Sequence, residues 1–140
     1  RDATTKDLAG IQKDISEEDY QKALYVIQEN KRVKLFSKAI KKNKLKKLGK
    51  LMYASHAGLS EQYKVSCVEL DFLVDIAKEN PNVLGARMMG GGFGGCTINL
   101  VLKSAAANFE KEVSTRFLKE FGNECSVYQV KLSKGTHRIK

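Results

Sequence analysis

A chain of 140 residues and 15.6 kDa has the length of one ordinary domain. Its 42% hydrophobic and 29% charged residues exclude wholesale disorder, and no apolar run approaches the roughly 20 residues a membrane helix needs. The net charge of +9 is local: ten of the 25 basic residues lie between Lys31 and Lys50 with no acidic residue among them, and the rest holds 15 basic against 16 acidic. That distribution argues against a generally nucleic-acid-seeking domain.

The chain divides into a leading segment, 1–15, a helical part, 16–80, and a mixed part, 83–140, all within one domain. Ser16 is a good N-cap, and Glu17, Glu18 and Asp19 fall in the positive first turn of the helix it opens. Tyr20, Ala23, Leu24 and Ile27 form its apolar stripe, which continues through Val33, Phe36 and Ile40 to an end near Asn43. A second helix carries Leu45, Leu48, Leu51 and Met52. The lysines fill the outer faces and read as solvated surface, with contact to a phosphate or an acidic partner as the alternative. His56 to Val65 reads as a loop. Ser66-Cys67-Val68-Glu69 has the form of a capping box, and the helix behind it carries Leu70, Leu73, Val74 and Ala77 on one face until Asn80-Pro81 stops it.

Val83–Arg87 predicts a strand, and Cys96–Leu102 a second one. Between them runs Gly90-Gly91-Gly92-Phe93-Gly94-Gly95. Ser104 is placed to cap a helix with Phe109, Val113, Phe117 and Phe121 four apart, ended by Gly122. Tyr128, Val130 and Leu132 predict another strand, Lys134-Gly135 a turn, and Thr136–Ile139 a last short strand. The fold class is therefore α+β, an antiparallel sheet with helices on one face, preceded by a helical segment. Cys67, Cys96 and Cys125 are odd in number and far apart, which fits neither a disulfide framework nor a zinc knuckle and favours a reducing, cytoplasmic setting. His56 and His137 lie in no ligand spacing, so no metal site is expected.

The glycine run carries the chemistry. A sequence this rich in glycine is costly to order, by about 0.5–1 kcal/mol per residue relative to alanine in a regular element. Converging backbone amides around an anion, or a close approach by another segment, would offset that. The bland alternative is a flexible hairpin, which needs only one or two glycines. Gly90, Gly92 and Gly95 fit G-x-G-x-x-G, but a strand follows where a dinucleotide fold needs a helix. Cys96-Thr97 after Gly95 excludes a Walker A loop, and the strand lysine and catalytic-loop motifs of protein kinases are missing.

Gly85-Ala86-Arg87-Met88-Met89-Gly90-Gly91-Gly92-Phe93-Gly94-Gly95-Cys96 resembles the third motif of the GHMP small-molecule kinases, in the form found in galactokinases. Residues 25–33, 51–56 and 63–71 resemble further stretches of that family in the same order. Met89 stands where the family usually has Thr, Val68 where it has Pro and Tyr25 where it has His. The resemblance implies a ferredoxin-like GHMP C-terminal domain, the carboxy-terminal half of an enzyme that moves the γ-phosphoryl of ATP to the anomeric hydroxyl of galactose. It also implies a partner, the amino-terminal domain of the same protein, which holds the catalytic residues, Mg²⁺ and most of the ATP site. Gly90, Gly91, Gly92, Gly94 and Gly95 would then shape the phosphate end of the cleft through their backbone, and this half alone would be inactive. No catalytic residue and no metal ligand is assigned here. Arg87 reads as a structural arginine or as charge near the phosphates, Phe93 as a packing residue at a domain seam, and Ser55, His56, Ser66 and Asp71 carry no catalytic role. Another GHMP sugar or mevalonate-type kinase, or an independent basic module that binds nucleic acid through residues 31–50, are the alternatives.

Overall fold

The computed structural model describes residues 2–131, 135 and 138. The chain folds as α1 (Thr5–Gly10), α2 (Glu17–Lys41), α3 (Leu45–Ala57), α4 (Val68–Glu79), β1 (Val83–Met89), β2 (Cys96–Val101) and α5 (Ala106–Phe121). β1 and β2 form an antiparallel hairpin with Met89 opposite Cys96 and Met88 opposite Thr97. The fold class is α+β, as expected.

The core follows from the apolar spacing. Val74, Ile76 and Ala77 of α4 pack with Val83 and Ala86 of β1 and with Phe109 and Val113 of α5. Ile76 and Val74 are fully buried, each contributing about 1.5–3 kcal/mol by removal from water. Phe72, Phe117 and Phe121 close the far side with edge-on ring contacts at 5.3 to 6.4 Å from Phe72. Gly122, at φ 71°, ends α5 in the left-handed conformation anticipated for it. A second cluster, of Tyr25, Leu59, Leu70 and Met88, lies under the glycine loop's end of β1.

At Gly49 and Gly85, α3 docks on β1 with no side chain between them. A Cβ at Gly49 would lie 1.6 Å from the Leu84 carbonyl oxygen, and one at Gly85 2.3 Å from the Gly49 Cα. Seven residues further along α3, the His56 ring accepts the N–H of Met88 at 3.2 Å. The Leu84 carbonyl, at the irregularity in the register between Val83 and Gly85, and the Met88 N–H both meet α3, so α3 covers the β1 edge that β2 does not.

Several local expectations are corrected. Residues 1–15, for which the sequence predicts no element, hold α1, started by a reciprocal capping box of Thr4 and Asp7. Val33 and Ile40 are 61% and 56% exposed, because the buried seam of α2 runs through Tyr25, Ile27 and Ala39 instead. His56 lies in α3, which passes into a π-helical turn over Gly58–Gln62; Gly58 does not break the helix but clears space for the ring of Tyr25. Cys67, not Ser66, is the N-cap of α4, and Ser66 turns its hydroxyl to Asp71. Ser104 falls within a 3-10 turn, Lys103–Ala105, and α5 starts behind Ala105 with no side-chain cap. Residues 124–131 form no strand: Tyr128 and Val130 are 81% and 76% exposed, and an alternating pattern specifies a strand only where an apolar face exists to cover it. Leu132 and most of the expected Thr136–Ile139 strand lie outside the described residues.

Candidate functional site

The loop between β1 and β2 has a defined and unusual backbone. Its φ angles are 87° at Gly90, 90° at Gly92, 59° at Phe93, 129° at Gly94 and 98° at Gly95. Such values are accessible to glycine and strained for residues with a Cβ, which accounts for the density of glycine here. Gly91 is the exception: it has no positive φ, and a Cβ built on it meets nothing within 4 Å. Gly90 and Gly94 also face open space, whereas a Cβ at Gly92 would lie 2.0 Å from the Val65 carbonyl oxygen. That same carbonyl accepts the N–H of Phe93 at 2.8 Å. Phe93 is a bulky residue held in the left-handed region, with its ring outside. The loop is thus seated at its centre on Val65 and open on the outer side.

The seat is itself tied down. Asp71, near the start of α4, accepts hydrogen bonds from Ser66 Oγ at 2.6 Å, from Ser60 Oγ at 2.9 Å and from the His56 Nε2 at 3.1 Å. His56 is buried, and its other ring nitrogen accepts the N–H of Met88 at 3.2 Å. With one nitrogen accepting and the other donating, the imidazole is neutral. Burial pushes its pKa down from the ordinary 6.5, against the pull of Asp71. The capping-box spacing assigns Ser66 to Glu69 and gives Asp71 no partner, so this cluster is not legible in the sequence. The four groups come from α3, the π-helical turn, the 63–67 loop and α4, and no spacing rule joins them.

Arg87 faces α2. Its Nε donates to the Met88 carbonyl at 2.9 Å, and a guanidinium nitrogen stands 3.8 Å from Glu29. Glu29 also pairs with Arg32 and accepts from Ser55 Oγ at 2.6 Å. Burial lowers the Arg32 pKa, and the neighbouring Arg87 charge acts in the same direction. This arrangement supports the structural reading of Arg87, as a link between β1 and α2, and it gives Ser55 a structural partner. The lysines of 31–50 stay on the outside, and among the described residues no helix is long and apolar enough to cross a membrane.

Comparison with known proteins agrees with the geometry. The chain is 40% identical over 119 residues to a galactokinase of Clostridium beijerinckii, covering 85% of this chain and 31% of that protein. It is 42% identical over 123 residues to a galactokinase of Lactobacillus helveticus, covering 88% and 32%. The structure of Lactococcus lactis galactokinase complexed with galactose superposes with a TM-score of 0.84 at 36% identity, over 90% of this chain and 33% of that one. The chain therefore spans about a third of the length of these relatives. Residues 36–120, more than half of the chain, match the family model described as GHMP kinases C terminal, and the chain belongs to that family.

Proposed function

We propose that this chain is the carboxy-terminal domain of a galactokinase, an enzyme that transfers the γ-phosphoryl group of ATP to the anomeric hydroxyl of galactose. In this reading the loop 90–95 forms the nucleotide-phosphate end of the cleft. The observation that carries it is the loop itself: five of its six residues have positive φ, its centre is fixed to Val65, and its outer side is open at Gly90, Gly91 and Gly94. Fixed backbone amides without side chains suit an anion, because they place partial positive charge at short range with little reorganisation. The similarity to galactokinases over most of the chain supports the same reading.

Phosphoryl transfer needs positioning and charge neutralisation more than covalent chemistry. The loop residues 90–95 bring no carboxylate and no lysine; in this reading, as the family resemblance implies, Mg²⁺, the group that orients the sugar hydroxyl and the sugar site itself belong to the part of the protein that precedes this domain. That part is the domain's principal partner, the cytoplasm its expected setting, and this chain alone should release no ADP above background from MgATP and galactose.

Gly91→Ala in the full-length protein tests the loop's role. An alanine fits there without strain, so stability should change by no more than about 0.5 kcal/mol. In this reading a phosphate approaches the open outer side of the loop, where the methyl would stand, so KM for MgATP should rise about tenfold with KM for galactose unchanged, a loss of about 1.4 kcal/mol in nucleotide binding. An unchanged KM for MgATP removes the loop from the phosphate site.

A further inference from the structure

We infer that Asp71 is a positioning residue for the glycine loop, holding it at two points through His56 and through the 60–66 segment. The inference rests on the loop's proposed role at the phosphate end of the cleft, and it adds the device that sets the loop there.

The loop has two attachments outside its own hairpin. At its entry, Met88 N–H donates to His56. At its centre, Phe93 N–H donates to the carbonyl of Val65, against which Gly92 is also packed. Both attachments lead to one carboxylate in a single further step. The opposite nitrogen of His56 faces Asp71 Oδ1 at 3.1 Å, and Ser66, next to Val65, donates to the same oxygen at 2.6 Å. Ser60 occupies Oδ2 at 2.9 Å, which fixes the start of the segment that Val65 ends.

This convergence exceeds what holding α4 in place requires. Buried Leu70, Val74, Ile76 and Ala77 already fix that helix, and the Asp71 side chain remains 41% exposed. A surface carboxylate with donors from α3, from the π-helical turn that continues it and from the loop behind that turn orients this loop against the helical stretch. It also selects the ring state of His56: an acceptor at Nε2 keeps the proton on that nitrogen and leaves Nδ1 free to accept from Met88. Loss of the carboxylate frees the ring to take the other tautomer, which would set two N–H groups against each other at the loop's entry.

The test is Asp71→Ala in the full-length protein, read by hydrogen exchange and by steady-state kinetics. Amides of residues 88–95 should exchange about tenfold faster, while those of 106–121 in α5 keep their protection. KM for MgATP should rise about five- to tenfold with little change in kcat. Asp71→Asn, which keeps a carbonyl acceptor for Ser66 and His56, should restore most of both. If Asp71→Ala does not fold, Ser66→Ala removes one donor only and should give a smaller change of the same pattern. Unaltered exchange over 88–95 in the folded variants overturns the inference, whatever the kinetics. So does acceleration spread evenly over 88–95 and 106–121, which marks a merely structural residue. Faster exchange confined to 88–95 with unchanged KM for MgATP supports the positioning device and instead removes the loop from nucleotide binding.

Discussion

Glycine does two different things around β1. At the base of β1, Gly49 and Gly85 let a helix and a strand meet backbone to backbone, and neither has a positive φ. At the tip, Gly90 and Gly94 have open space around them and positive φ. The first pair is required by what lies beside it, the second by its own torsions. Gly92 is required on both counts, with Val65 against it and φ at 90°, and Gly91 on neither. A glycine required by neither packing nor torsion, in the middle of such a loop, is the position where a ligand's demand can be read separately from the fold's.

The contrast ranks substitutions. Gly49→Ala should be the most damaging, because its methyl meets the Leu84 backbone at 1.6 Å in the interior and neither element can move alone. We expect a loss of about 3 kcal/mol or more by denaturant unfolding, or no folded protein. A loss below about 1 kcal/mol would show that α3 can slide on β1. Gly92→Ala comes next. It faces a contact of 2.0 Å and an unfavourable torsion, but the loop lies at the surface and can lift off Val65. It should lose about 1–3 kcal/mol and expose Phe93 N–H to exchange. If Gly92→Ala proves as harmful as Gly49→Ala, the loop is part of the core's cooperative unit and the distinction between base and tip collapses.

The two glycine uses were not equally legible in the sequence. The run at 90–95 announced a special backbone because no ordinary hairpin needs so many glycines. The single Gly49 announced nothing, although a lone glycine within a helical pattern, where it costs about 1 kcal/mol against alanine, is a known sign of close approach. Helix spacing is legible where the apolar residues face one layer, as do Leu70, Val74 and Ala77 of α4. It fails at Val33 and Ile40, because the buried seam of α2 runs through Ile27 and Ala39, and a helix with apolar residues on more than one face does not show in its periodicity which of them meets the core. The Asp71 cluster was hidden for a related reason. Ser66 and Glu69 have capping-box spacing, in which the Ser66 oxygen would accept the Glu69 N–H, whereas in the fold Cys67 takes the cap position and the Ser66 hydroxyl donates to Asp71.

A third prediction concerns the loop's attachment at its entry. His56 is held neutral, with its pKa lowered by burial and further influenced by Asp71, Lys78 and Asp75. The folded state thus binds a proton less readily than the unfolded chain. Stability is unaffected by this group above the ordinary value of 6.5, falls as pH drops below it and levels off once the folded pKa is passed. Melting temperatures measured from about pH 7.5 to about pH 5 should decline for the native chain, and His56→Asn should remove that part of the slope. An identical slope in the variant would assign the acid sensitivity elsewhere and leave the Met88 attachment without a pH signature.

Proline reverses the glycine argument, and one position here is suited to it. Val68 is the first residue of α4, behind Cys67 at φ −137° and ψ 169°. The first helical position needs no N–H for the helix's own ladder, and proline's fixed torsion matches it. The residue before a proline must be extended, which Cys67 already is. The Val68 side chain is 73% exposed, so little packing is lost with it. Val68→Pro should therefore stabilise the chain by about 0.4–1 kcal/mol, chiefly by restricting the unfolded state. The effect is small, but its sign is informative. A gain means that the segment leading into α4 is as rigid in the native state as the Asp71 hydrogen bonds imply. A loss of similar size would mean that residues 66–68 sample other torsions, and a glycine loop seated on Val65 would then rest on a moving support.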